Sequence, residues 1–327
     1  MKVKDMGEFT LINAISDDVI FDPTTVIEGI GDDCAIYKST EDYEQLISID
    51  TMVEGIHFTF NTMSPYDIGV RLSTANISDI AAMGGIPRQI VISIAVPPTM
   101  DSTIIKSIYD GIKYQCKQYT INLIGGDTVS TSGPLVITLT IVGEVPKGKA
   151  VLRRRAQVGD FIGVTGYMGS SAAGLDAIYH TYQDTNVIIQ SHRQPQPQLA
   201  LGTYLRHIGA TAMNDISDGL ASELHEIADT SNITMLIEEE LIPIHKETIL
   251  VSNRLGNNPL DYALFGGEDF QLVFTIPSES LPDVQNQKDI TIIGQIISKG
   301  DGTVLMKGKD QSIRVIEKKG YNHFSHD

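Results

Sequence analysis

Apolar and polar positions alternate along residues 46–49 as they would in a buried strand, and Asp50 stands where that strand should end. Downstream, Ser64 as N-cap and Pro65 at the first helical position open a helix. It runs through Ile68, Leu72, Ala75 and Ile80 and stops near Gly84 and Gly85. A strand follows over 89–96, closed by Pro97 and Pro98, then a helix from Asp101 to about residue 119. A short strand at 121–124 ends in Gly125-Gly126-Asp127-Thr128, and a long strand at 135–145 is a candidate hairpin partner for it. Residues 8–15 read as a short amphipathic helix with Phe9, Leu11, Ile12 and Ile15 inward.

The second half repeats the alternation. Strands are expected at 161–164, 210–213, 233–237, 271–276, 291–297 and 303–306. Helices are expected after Ser171, over 197–207, from Ser217 or Asp218 as N-cap to about 229, and over 245–255. Residues 184–198, polar and Pro-containing, read as a surface loop. The pattern is that of an α/β (α+β) chain in two domains, 1–148 and 149–327. The segment GEVPKGKA at 143–150 has the spacing of a P-loop, but Ala150 stands where Ser or Thr must hold magnesium. It reads as a loop at the domain boundary.

Composition narrows the function. The chain has 327 residues, too many for one core to serve comfortably, and 42% are hydrophobic. Its formal net charge of −17 argues against nucleic acid and anionic membranes as partners. No apolar run is long enough to cross a bilayer, and no apolar segment follows the first lysines, so a cytoplasmic location is expected. Cys34 and Cys116 lack metal-ligand spacing and read as reduced core thiols.

The charge is concentrated at particular points. Asp32 and Asp33 follow a Gly-rich turn; Asp50 and Asp127 sit at strand ends; Asn76 and Asp79 share a helix face; Asp215 and Asp218 bracket Ser217. Hard oxygen ligands without a Cys or His cluster favour magnesium, manganese or calcium. Neither G-x-S-x-G nor H-E-x-x-H is present. Several acids with glycine turns point to polyphosphate chemistry. The turn TGYMGSS at 165–171 is a weak phosphate candidate.

Seven segments occur in order: GIGDDCA from residue 29, SIDTMVEGIHF from 48, NISDIAAMGG from 76, GGDT from 125, VTG from 164, DISDGL from 215 and GGEDF from 266. Together they resemble the thiamine-monophosphate kinase family, within the superfamily that also holds aminoimidazole ribonucleotide synthetase, selenophosphate synthetase and a hydrogenase maturation factor. The resemblance extends over essentially the whole chain. It implies a homodimer whose N-terminal mixed sheets pair, with ATP and Mg²⁺ held by the N-terminal domain and the C-terminal α/β domain closing the cleft. By position, Asp33, Ser48, Asp50, Asp79, Asp127, Asp215 and Asp218 match magnesium ligands. Gly126, Asp127, Arg153 and Ser217 match nucleotide contacts. His57, Glu268 and Lys318 match contacts to thiamine monophosphate. Two positions depart: Ile49 stands where Thr is frequent, and Lys318 where an aromatic is frequent. Tyr321 or Phe324 could stand in for that aromatic.

The implied reaction is direct transfer of the ATP γ-phosphoryl group to the phosphate of thiamine monophosphate, the last step to thiamine diphosphate. The acceptor oxygen is already anionic, so no general base is required. No Cys suits a selenophosphate synthetase, and the chain ends in Ser325-His326-Asp327 rather than the maturation factor's Cys. The cyclo-ligase is the enzymatic rival. A non-catalytic cation- or nucleotide-binding protein is the rival from another class.

Overall fold

Period-two alternation carries further than the apolar run alone suggests. In the computed structural model, which describes residues 26–28, 32–285 and 287–320, the strand expected to end at Asp50 runs from Tyr43 to Val53. The helix expected at 8–15 and the aromatics Tyr321 and Phe324 lie outside the described residues. The first sheet contains β1 (Val26–Glu28), β2 (Ala35–Lys38), β3 (Tyr43–Val53), β4 (Ile86–Val96), β5 (Asn122–Ser130) and β6 (Val136–Pro146), in the order β1-β2-β3-β6-β4-β5. All neighbours are antiparallel except β4 and β5. It is the expected mixed sheet.

Three expectations are corrected here. The strand at 136–146 is not the hairpin partner of β5 but lies between β3 and β4, pairing Tyr43 with Pro146 through Val53 with Val136. The reason is the helix between β4 and β5: a strand–helix–strand crossover sets those two parallel and leaves β6 to fill the centre. Likewise GGDT belongs to β5 rather than lying beyond its end, and residues 143–146 are strand rather than loop.

Helix α1 (Pro65–Ala82) begins with a capping box: the Asp67 amide donates to Ser64 Oγ at 3.2 Å, and the Ser64 amide donates to Asp67 Oδ2 at 3.0 Å. It is buried nearly all round because the sheet, α2 (Ser102–Tyr119) and the second domain enclose it. Glycines permit the α1–α2 crossing. A Cβ on Gly69 would lie 2.0 Å from the Ile108 carbonyl oxygen, and one on Gly111 would lie 2.1 Å from that of Tyr66. Gly69→Ala is therefore expected to destabilise the protein by about 3 kcal/mol, read as a lower thermal midpoint. A wild-type midpoint would contradict the close approach.

The second sheet contains β7 (Phe161–Thr165), β8 (Ala212–Asp215), β9 (Ile233–Glu238), β10 (Leu272–Ile276), β11 (Ile290–Lys299), β12 (Val304–Lys307) and β13 (Ile313–Val315). Their order is β13-β12-β9-β11-β7-β10-β8, with β12 and β9 the parallel pair. Helices α3 (Ser170–Tyr179), α4 (Asn186–Arg193), α5 (Leu199–His207), α6 (Leu220–Ser231), α7 (Lys246–Leu255), α8 (Pro259–Phe265) and α9 (Leu281–Gln285) complete the described α-helices. No described helix is long and apolar enough to cross a membrane.

The expected loop at 184–198 instead contains α4. It buries Ile188 and His192, four apart on one face, while Val187 is exposed and the flanking positions are polar, which hid the helix. The segment grips α1 across the domain junction. Arg193 Nε donates to the Thr62 carbonyl at 2.9 Å, and Thr74 Oγ1 donates to the Pro195 carbonyl at 3.0 Å. The end of α1 is equally close to α5, where a Cβ on Gly202 would lie 2.2 Å from the Ala81 carbonyl oxygen. Ala81, Ala82 and Val151 pack with Leu205, Met213 and Phe274 in an apolar seam between the two halves.

Candidate active site

The pleat of β3 places Ser48 and Asp50 on the face that also carries the buried Leu46 and Met52, toward α1. There Ser48 Oγ donates to Asp79 Oδ2 in a short hydrogen bond. Ile49, one residue over, lies on the opposite face of the sheet and is 62% exposed. Its side chain is therefore directed away from Asp79. Asp33 enters from the segment before β2, and Asp215 ends β8 on the second sheet. One carboxylate oxygen from each of Asp33, Asp79 and Asp215 lies within 4.8 Å of the others. Two domains thus deliver acids to one point.

The cluster is electrostatically unfavourable by itself. Burial raises the pKa of Asp79 well above the carboxylate range, and the charges of Asp50, Asp215 and Asp33 add to it. Asp215 is raised in the same way by burial and by Asp33. Burial pushes Asp50 up to about 6, and burial with the Asp33 charge pushes Asp32 up to about 7. Asp50 Oδ2 and Asn76 Oδ1 are buried without a hydrogen-bond partner from the protein. Orphaned acceptors beside crowded carboxylates are a poor core but a fitting oxygen cage for a hard cation.

Arg153, in a short 3₁₀ turn linking the domains, is the cation that meets these acids. Its Nη2 donates to Asp33 Oδ1 at 2.8 Å, and its Nε lies 3.2 Å from Asp33 Oδ2 and 3.1 Å from Asn214 Oδ1. Burial opposes its charge, but Asp33 more than offsets this and raises its pKa. Glu223 is a participant that the sequence did not disclose. It accepts a short hydrogen bond from Asn214 Nδ2 and another from the Asp218 amide at 3.2 Å. The available signal was an acid in the first turn of the helix after DISDG, a position that ordinarily reads as a partner for the helix dipole.

The N-cap of α6 is Gly219, at φ +117°, rather than Ser217 or Asp218. That backbone region is open to glycine alone. The Ser217 carbonyl accepts the Glu268 amide at 2.5 Å, tying DISDG to GGEDF. Glu268 pairs with Arg71 of α1. His57 lies in the loop after β3, where its Nδ1 accepts the Val53 amide at 3.1 Å. Lys318 pairs with Glu226 at 2.9 Å and Asp229 at 3.0 Å on α6, and Glu226 also lies 3.9 Å from Arg153.

Gly126 and Asp127 are not brought into the three-acid group. They lie on β5, exposed at the sheet edge, where Asp127 Oδ1 accepts the Thr128 amide at 2.9 Å. Thr128 borders an open groove of about 580 Å³ with Ile94, Ile105, Lys106, Tyr109 and Lys113. The TGYMGSS turn already has an anion. Asp269 accepts the Gly169 amide at 2.6 Å and the Ser171 amide at 3.0 Å, so this helix start is capped from within the chain.

Two α/β domains with an acid cluster at their junction define the class. The chain matches the AIR synthase related proteins, the N-terminal domain over residues 31–145 and the C-terminal domain over 157–307. The thiamine-monophosphate kinase of Bacillus subtilis strain 168 is 42% identical over 330 residues, covering 98% of this chain and all of that one. That of Escherichia coli K12 is 36% identical over 329 residues, with 98% of each chain covered. A solved structure, AaThiL complexed with AMPPCP and TMP, matches 99% of each chain with a TM-score of 0.86 at 31% identity. The chain belongs to the thiamine-monophosphate kinase family.

Proposed function

We propose that this protein transfers the γ-phosphoryl group of ATP to thiamine monophosphate, giving thiamine diphosphate and ADP. The observation that carries the reading is the cage of Asp33, Asp79 and Asp215, set at the domain junction in a chain of this family. Asp50 and Ser48 adjoin it, and Asp127 and Asp218 would complete the ligand set from β5 and the start of α6. Magnesium held there would supply the positive charge that offsets phosphate–phosphate repulsion, about 4 kcal/mol per contacting pair at an effective dielectric of 20. Once a cation takes Asp33, the Arg153 fork is free to turn to a phosphate oxygen. Gly126 and Ser217 would contact the nucleotide, with Lys106 offering a further cation beside β5, while Lys113 is already paired with Asp110 at 3.7 Å. His57 and Glu268 would hold the acceptor. Lys318, paired with two acids of α6, would act on the acceptor's surroundings rather than by stacking.

We also place the domain boundary at residue 148, and infer a homodimer formed through the first sheet. Ile49 at 62% and Ile124 at 65% exposure, with Val91 and Val129, leave that sheet with apolar surface that a second copy would cover. Burial of β5 in such a pair would also enclose Asp127. Dependence on ATP and magnesium fits the cytoplasm.

The deciding assay supplies ATP, Mg²⁺ and thiamine monophosphate and follows thiamine diphosphate by chromatography, with thiamine as the control acceptor. Product from the monophosphate alone is expected. ATP binding without turnover of the monophosphate would favour the cyclo-ligase or a non-catalytic binder.

A further inference from the structure

Arg71 carries a charge that the reaction as described does not use. It lies on α1, and its side chain is 1% exposed, so it reaches no solvent-borne ligand directly. A buried cation must be compensated by the protein. Here the compensation comes from the opposite domain. Its Nη2 pairs with the Glu268 carboxylate, its Nη1 donates to the His192 carbonyl, and the guanidinium carbon lies 5.8 Å from the centroid of the Phe270 ring. The His192 ring, 3.5 Å from Arg71 Nη1 and 3.2 Å from Ser171 Oγ, completes the surroundings.

Its partner sits on unusual backbone. Glu268 and Phe270 adopt φ of +55° and +49°, the left-handed region that non-glycine residues rarely occupy. Such residues persist only where their surroundings over-determine them. The restraints can be named. The Glu268 amide donates to the Ser217 carbonyl at 2.5 Å, the Phe270 amide donates to the Ile216 carbonyl at 2.9 Å, and Asp269 is locked into the start of α3. These three arise within the second domain and fix the backbone. The restraint on the Glu268 side chain comes from Arg71 on the first. The Glu268 side chain remains 40% exposed, so a ligand can reach the carboxylate that Arg71 holds.

We propose that Arg71 is a positioning residue that orients Glu268 toward the acceptor and keeps it in register with the acid cage. This rests on the assignment of Glu268 to thiamine monophosphate made above. Arg71 and Asp79 are eight residues apart on α1, about 12 Å along its axis. One rigid helix therefore spaces the acceptor-recognition end of the site from its phosphoryl-transfer end. Arginine suits this role because its planar fork serves a carboxylate, a carbonyl and an aromatic face at once, which a lysine ammonium cannot.

Steady-state kinetics with each substrate varied in turn test the idea on R71K, R71M, E268Q and the R71M/E268Q double variant. R71M is expected to raise the KM for thiamine monophosphate roughly tenfold or more, with the KM for ATP changed by less than about twofold. R71K should recover part of the loss. In the E268Q background, R71M should add little, because the side chain it orients is already altered. Equal rises in both KM values, or full additivity of the two substitutions, would overturn the proposal in favour of a purely structural strut. If R71M does not fold, the same split between substrates must appear in R71K, and its absence there overturns the proposal. Wild-type protein is the control for the underlying function. An inactive wild type refutes that function, whereas an active wild type with an unaltered R71M refutes only the role of Arg71.

Discussion

Asp79→Asn is expected to lower kcat on the order of a thousandfold while the protein still folds, with an unchanged or higher melting temperature in EDTA. Asp79 stands where charge is most crowded. Its pKa is raised well above normal first by burial and then by Asp50, Asp215 and Asp33. In metal-free protein a neutral amide relieves that repulsion, and an Asn oxygen can still accept the Ser48 hydroxyl, so the local packing survives. With substrates and Mg²⁺ the balance reverses, since an amide is a weaker ligand for a hard cation than a carboxylate. Initial rates and thermal melts on the same preparation check both halves. Asp50→Asn should behave alike, because Asp50 Oδ2 has no protein partner to lose. Unchanged turnover in both variants would remove these residues from the metal site.

The second large effect is a reversal of pH dependence by magnesium. In metal-free protein the folded-state pKa of Asp50 is raised to about 6 by burial, and those of Asp79 and Asp215 are also raised well above the carboxylate range by burial and neighbouring acids. A carboxyl whose folded pKa lies above its unfolded value binds more protons folded than unfolded, so stability falls as pH rises. The loss begins near the unfolded pKa of about 4 and for Asp50 is complete once pH passes about 6. For that group alone it amounts to on the order of 3 kcal/mol. The expected result is a metal-free protein that melts higher at pH 5 than at pH 8. Millimolar Mg²⁺ should raise the pH 8 melt most, because bound cation favours the ionised cage and opposes the loss. A flat pH profile in EDTA, or no magnesium shift at pH 8, would contradict the cage.

Much of this site was legible in the chain because acids beside glycine and serine carry their own signal. The clustering of Asp33, Asp79 and Asp215 was foreshadowed by composition and by the order of the segments around them. What misled was the assumption that an acid after an apolar run lies at a strand end. Asp50 and Asp127 are inside strands, since pairing with β6 and β4 extends β3 and β5 beyond their apolar cores. The polar stretch 184–198 hid α4 because a helix that clamps another element needs only two buried positions. Lys318 occupies an acceptor position by resemblance, but two acids on α6 hold it in an ion-pair network.

The alternation of strands and helices, the two-part α/β plan, the helix with its Ser64–Pro65 start and the identity of the acids are written in the chain. All of these rest on local periodicity, capping chemistry or residue type, which short stretches of chain express without help. Folding had to reveal that β6 lies between β3 and β4, that Gly219 rather than Asp218 caps α6, that Glu223 braces Asn214 and Asp218, and that Arg71 reaches Glu268. Each of these joins residues whose energies depend on a partner brought close only by folding. A buried carboxylate or guanidinium carries no mark in the chain of which opposite charge will compensate it.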